Sequence, residues 1–110
     1  MEDRDKQLGF VIEHVKKIKS GTKTTTLRTL GSTKEFRVGD ILNVNHGAED
    51  FRLKITKIGT KKLYALTDED ARKEGFRSID ELMEAWETTY RKNWNPDYVV
   101  RIIEFEKIEG

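Results

Sequence analysis

The sequence predicts an α+β domain. It is a small mixed, mostly antiparallel β-barrel with a short N-terminal helix and a longer helix before the last strand. Three observations predict it. Short β-branched or alternating runs are separated by glycine-containing turns. One helical stripe falls late, at Ile79, Leu82, Met83, Trp86 and Tyr90. The chain then closes on a long apolar run, Tyr98 to Phe105. With 110 residues, one domain spanning 1–110 buries a real core without staples.

Leu8-Gly9-Phe10 reads as a strand edge. Val11, Ile12, Val15 and Ile18 recur at near-helical spacing, with Lys16, Lys17 and Lys19 on the other face. That predicts a short amphipathic helix stopped by Ser20-Gly21. Thr22 to Leu30 is β-branched and reads as a strand, and Gly31 to Lys34 as a loop. Val38-Gly39-Asp40 is a turn into a strand at Ile41–Asn45, followed by a loop from His46 to Asp50. Phe51, Leu53 and Ile55 alternate with Arg52, Lys54 and Thr56, the clearest half-buried strand. Ile58-Gly59-Thr60 predicts a turn into another strand, Lys62–Leu66, with Tyr64 in its core or at its edge. Thr67-Asp68-Glu69-Asp70 caps a short helix ending near Gly75, and Ser78 with Glu81 matches a capping box for the longer one. Asn95-Pro96 ends that helix, and the closing strand is expected to be central.

Composition narrows the function classes. Cysteine is absent, so there is no disulfide, thiolate metal site or cysteine nucleophile. His14 and His46 are far apart, which argues against a conventional zinc site, and no metal or cofactor is expected. The charged N-terminus lacks the apolar core of a signal peptide, and no apolar run approaches membrane length. The expectation is a soluble, cytoplasmic monomer that does not engage membranes. Charged residues make up 37% of the chain and glutamine appears once, as in hyperthermophile compositions. The net charge of +1 hides an asymmetry. Residues 1–62 carry 14 Lys and Arg against 8 Asp and Glu; residues 63–110 carry 7 against 12. Either the basic half follows a phosphate backbone or the two halves neutralise each other on folding.

Chemistry concentrates in Gly21-Thr22-Lys23-Thr24-Thr25-Thr26-Leu27-Arg28. A turn glycine, an amine, four hydroxyls and a guanidinium in one span suit an anionic or strongly hydrogen-bonding ligand. Strict strand alternation sets Thr22, Thr24, Thr26 and Arg28 on one side and Lys23 on the other. Lys23 joins Thr26 only if it lies on the turn after Gly21, outside the regular strand.

Gly21, Lys23, Thr26 and Arg28 fall on the pattern G-x-K-x-x-(E/T)-x-R. Followed by Phe36-Arg37-Val38-Gly39-Asp40-Ile41-Leu42, it resembles the ASCH domain family over about Leu8 to Phe105. The resemblance implies a PUA-like β-barrel with a cleft beside the signature. It implies binding of RNA, in translation or as a coactivator module, or of a modified nucleoside. Some small members are metal-independent amidohydrolases that deacylate N4-acetylcytidine. The threonine variant of the signature resembles that subset. By that resemblance Lys23 is the base, Thr26 the nucleophile and Glu74 the acid, with Glu69 or Asp70 as alternatives to Glu74. Gly21, Thr24, Arg28 and Trp94 are the expected ligand contacts.

Each residue has a plainer reading. Lys23 is otherwise a solvated loop lysine, Thr26 a hydroxyl that binds without attacking, and Arg28 half of an ion pair. Glu74 is otherwise a helix-surface carboxylate. Trp86 and Tyr90 read as core. Trp94 either stacks on a base or caps the barrel end. Lys54, Lys57, Lys61 and Lys62 face phosphate or form a solvated strand edge. The function classes are therefore amidohydrolase, non-catalytic RNA-binding module and ribonuclease.

Overall fold

The computed structural model describes residues 5–7, 12–46, 49–90 and 95–108. The elements run β1 (Asp5–Gln7), α1 (Ile12–Ser20), β2 (Thr25–Thr29), β3 (Ile41–His46), β4 (Glu49–Lys62), α2 (Asp68–Lys73), α3 (Ile79–Tyr90) and β5 (Val99–Ile108). The strands form one sheet in the order β1-β3-β4-β5-β2. β1 runs parallel to β3 and the other pairs are antiparallel. The sheet curls into a half-barrel, the α+β architecture the sequence predicts. β5 lies inside the sheet, between β4 and β2.

Alternation along the strands builds a core on each face. Val15 and Ile18 of α1 pack on Leu42, Val44, Leu53, Ile55, Ile103 and Phe105. On the opposite face, Leu27 and Val100 meet Leu63, Leu66, Ala71, Leu82 and Trp86. The stripe on α3 therefore faces inward through Leu82 and Trp86, as its spacing predicts.

The main departure lies in β4. No turn forms at Gly59; the strand continues to Lys62, and Leu63–Ala65 is a 3-10 turn. Cross-strand pairing to β5 holds Gly59 opposite Ile102, which overrides the local turn signal. A bulge between Ile55 and Lys57 shifts the register by one residue. It brings Ile58 opposite Ile103 on the α1 face and sends Lys57 and Lys61 toward α2. β3 pairs with β4 only as far as Lys54, so Lys54 lies inside the sheet, whereas Lys57, Lys61 and Lys62 belong to the stretch of β4 that pairs with β5 alone and forms a strand edge. Tyr64 is 64% exposed, because the 3-10 turn carries it off the sheet. His46 ends β3 and Glu49 begins β4, so strands occupy most of the stretch expected to be loop. The expected Leu8-Gly9-Phe10 edge lies outside the described residues.

Asp40 pins the turn before β3. Its Oδ2 accepts from Arg37 N at 2.9 Å, and its carbonyl accepts from Ile55 N at 2.9 Å. Thr67 and Asp70 make a reciprocal capping box on α2. Ser78 Oγ accepts from Glu81 N at 3.3 Å, but Glu81 takes the backbone and side-chain nitrogens of Arg77 instead of completing the box.

Candidate active site

The site forms at the free edge of β2, where both helical layers meet. α1 ends in a Schellman motif: Gly21 N donates to Ile18 O at 3.1 Å and Thr22 N to Lys17 O at 2.9 Å. Gly21 has φ +84, which this cap requires. Lys23 N also donates to Lys17 O, at 3.0 Å, so Lys23 sits on the turn, two residues before β2 begins. This is the placement the signature chemistry needs.

Lys23 is only 3% exposed and Glu74 4%. Lys23 Nζ donates to Glu74 Oε1 and to Glu74 O, each at 3.1 Å. Glu74 Oε1 also accepts from Leu27 N at 3.1 Å, and Oε2 accepts from the Thr25 hydroxyl. Thr24 N donates to Lys73 O at 2.8 Å. The end of α2 thus satisfies the outward donors of an edge strand and delivers one carboxylate to one amine. Glu74 caps α2, and Gly75 at φ +95 turns the chain away beneath Lys17 and Lys23. Of the three acidic alternatives, Glu74 alone meets Lys23; Asp70 pairs with Lys61 at 2.8 Å and Glu69 is exposed.

Thr26 is 3% exposed, and its hydroxyl accepts from Arg28 Nε at 3.0 Å. Both side chains lie on the α1 face, while Thr25 and Leu27 point to the α2 face. The Lys23 amine bonds Glu74 and not Thr26. Gly21 and Thr24 are exposed at the rim. Trp94 lies outside the described residues.

Two residues were missed in the sequence. The apolar spacing sets Lys17 on the outer face of α1, but it is half-buried, donates to Gly75 O at 2.7 Å and lies over the Phe76 ring at 5.2 Å. His14 stacks edge-on against Phe76 with centroids 5.8 Å apart, and its buried Nδ1 has no partner. Both occupy one helical stripe with Gly21, at steps of three and four residues, the signal that would have grouped them.

Electrostatics links these groups. Burial, aided by Lys23, Lys17 and Arg28, lowers the His14 pKa from 6.5 to about 4, with Glu13 opposing. The imidazole is neutral at pH 7. Burial also lowers the Lys23 pKa below the ordinary lysine value; Glu74 opposes this, and Arg28 and Lys17 assist it. Among the described residues no cluster of three His, Asp or Glu side chains is placed to hold a metal, and no helix is long and apolar enough to cross a membrane.

The curled sheet, with α1 on one face and α2 and α3 on the other, is the PUA-like class of domain. Within that class the chain belongs to the ASCH domain family, whose model matches residues 11–109. Solved structures agree in fold. An ASCH domain from Lactobacillus crispatus superposes with a TM-score of 0.77 at 16% identity, covering 94% of this chain and 79% of that one. A Pyrococcus furiosus protein gives 0.67 at 21% identity over 96% and 99%. The ASCH protein of Zymomonas mobilis gives 0.62 at 14% identity over 97% and 73%. No curated protein matches the chain.

Proposed function

We propose that this chain binds a modified nucleoside at the Lys23–Glu74 edge and hydrolyses the amide of an N4-acylated cytidine. The observation that carries this reading is the buried Lys23–Glu74 contact, with the lysine pKa depressed by burial. Moving one proton across 3.1 Å, from Nζ to Oε1, converts the ion pair into an amine and a carboxylic acid. Those are the base and acid that amide cleavage needs. The Thr26 hydroxyl accepts from Arg28, which leaves its own proton free to be taken and stabilises the developing oxyanion.

In the first step Lys23 takes the Thr26 proton and Oγ1 bonds to the acyl carbon. The C–N4 bond then breaks as Glu74 protonates N4, leaving an acyl ester on Thr26. Water, deprotonated at the same pocket, hydrolyses that ester and restores the hydroxyl. The first step requires Nζ to leave Glu74 and reach Thr26 Oγ1.

The test is release of acetate and cytidine from N4-acetylcytidine. Lys23→Ala and Thr26→Ala are each expected to abolish it, and intact substrate after prolonged incubation with wild-type protein would defeat the reading. A second reading is favoured by the three hydrogen bonds on Glu74, which suit a purely structural carboxylate. The ASCH fold is associated with RNA binding, and in this reading the pocket holds RNA without cleaving anything. Salt-sensitive RNA binding without acetate release would select it. Shortened RNA after incubation would point to a ribonuclease instead.

A further inference from the structure

β4 runs through a glycine that the fold does not ask for. Gly59 has no left-handed φ, and an added Cβ would meet nothing within 4 Å. The bulge of β4 lies before it, between Ile55 and Lys57. Neither a turn, a bulge nor close packing therefore accounts for the missing side chain. A glycine inside a strand otherwise marks the close approach of another backbone or of a ligand. No part of this chain comes close there, which leaves a ligand.

Gly59 is the floor of a groove of about 220 Å³ on the α2 face of the sheet. Register sets its rows. Gly59, Ile102 and Leu27 stand side by side across β4, β5 and β2, and Lys57, Glu104 and Thr25 form the next row. α2 supplies the wall through Asp70 and Lys73. Lys73 belongs to the Lys57 end, because its carbonyl accepts from Thr24 N. At the other end, roughly 13 Å along the strand, Lys61 is already matched by Asp70 at 2.8 Å. Lys57 and Lys73 are exposed and make no ion pair among the described residues, although Glu104 stands opposite Lys57. Two ammonium groups against one carboxylate leave a single positive charge at that end, which matches a monoanion. The volume falls below the roughly 300 Å³ at which drug-sized sites begin, so the groove takes one ring with its substituent.

We propose that this groove is a second ligand site, for a small flat-ring carboxylate. The ring lies on the bare backbone of Gly59 beside Leu27 and Ile102, and the carboxylate lies between Lys57 and Lys73. The site is separate from the Lys23–Glu74 pocket. None of Gly21, Lys23, Thr26 and Arg28 lines it, and Thr26 lies on the opposite face of β2. The two sites share one wall, since Thr25 lines the groove and donates to Glu74. The proposal does not depend on amide hydrolysis.

Equilibrium titration tests it, with benzoate as the probe and benzamide, acetate and phenyl phosphate as comparisons. Benzoate is expected to bind at least tenfold tighter than benzamide, which lacks the charge, and than acetate, which lacks the ring. Phenyl phosphate is expected to bind no tighter than benzoate; a tighter phosphate would overturn the carboxylate assignment. Gly59→Val puts a strand-favouring side chain into the groove. It is expected to weaken benzoate at least tenfold while leaving any acetate release from N4-acetylcytidine intact. Lys57→Gln and Lys73→Gln are each expected to weaken benzoate about threefold or more, and Lys54→Gln, outside the groove, to leave it unchanged. Thr26→Ala is expected to retain benzoate binding; its loss would assign the ligand to the Lys23–Glu74 pocket and end the claim of a second site. In the wild-type protein the Gly59 amide resonance is expected to shift on adding benzoate, a readout that survives if the valine variant does not fold. Equal binding of benzoate and benzamide, or a silent Gly59 resonance, overturns the proposal.

Discussion

Glu74 is where a single carboxylate connects an edge strand, a helix end and a buried amine. Its removal therefore differs from its neutralisation. Glu74→Ala leaves the Leu27 N–H without its acceptor and the Lys23 amine with only the backbone carbonyl of residue 74 and no counter-charge, and loss of one partner of a buried pair costs about 3–5 kcal/mol. Glu74→Gln keeps a carbonyl for Leu27 N and is expected to cost about 1–2 kcal/mol, while still abolishing acid chemistry. Urea denaturation of both variants beside an acetate-release assay separates the two roles; equal stabilities would contradict them. His14 gives a second residue-scale prediction. Its pKa is depressed to about 4 from 6.5, so the unfolded chain binds a proton in that window and the folded chain does not. Stability is then lost as pH falls from 6.5 to 4 and is unaffected by His14 above it. The full shift corresponds to roughly 3 kcal/mol, and solvent screening of a half-buried ring reduces this to about 1–2 kcal/mol. His14→Phe, which keeps a ring against Phe76, is expected to flatten that part of the stability–pH curve relative to wild type.

Among the elements, the two turns that frame the site respond differently to a methyl group. Gly21 has φ +84 with nothing within 4 Å of an added Cβ. Gly75 has φ +95, and its Cβ would meet Lys17 Cδ at 2.9 Å and Lys23 Cβ at 3.4 Å. Gly21→Ala is expected to cost about 1 kcal/mol from backbone strain alone. Gly75→Ala adds displacement of Lys17 and Lys23, for about 2–3 kcal/mol. At about 4–8 °C per kcal/mol the melting temperatures resolve them, and only Gly75→Ala is expected to lower turnover as well. The same elements show what the sequence made legible. α1, α2, α3 and β5 were readable because apolar spacing, glycine stops and a threonine cap are local signals. The pairing of Lys23 with Glu74 follows from neither spacing nor composition, since 51 residues separate them; the family resemblance supplied it. The passage of β4 through Gly59 was illegible because partners on β5, distant in sequence, decide it. Arg101 opposite Arg28 was hidden for the same reason, a register that only the folded sheet defines.

For the whole molecule, the question left by the charge asymmetry is whether the basic first half forms a track for nucleic acid. The fold consumes part of that asymmetry. Lys23 meets Glu74 and Lys61 meets Asp70, while Lys54 and Lys57 stand opposite Glu106 and Glu104 across β4 and β5. First-half cations thus face second-half acids, and the net charge of +1 supplies little long-range attraction. Binding of a single strand should then depend on few phosphates. Two phosphate contacts give a slope of roughly −1.4 in log K against log salt, whereas a track of six contacts gives roughly −4. Fluorescence anisotropy of a short labelled RNA between 50 and about 300 mM salt measures this directly. A shallow slope is the expected result. A slope near that of an extended track would mean that the lysines of β4 leave their acidic neighbours to follow the strand, and that the ligand crosses the sheet instead of entering at the edge of β2.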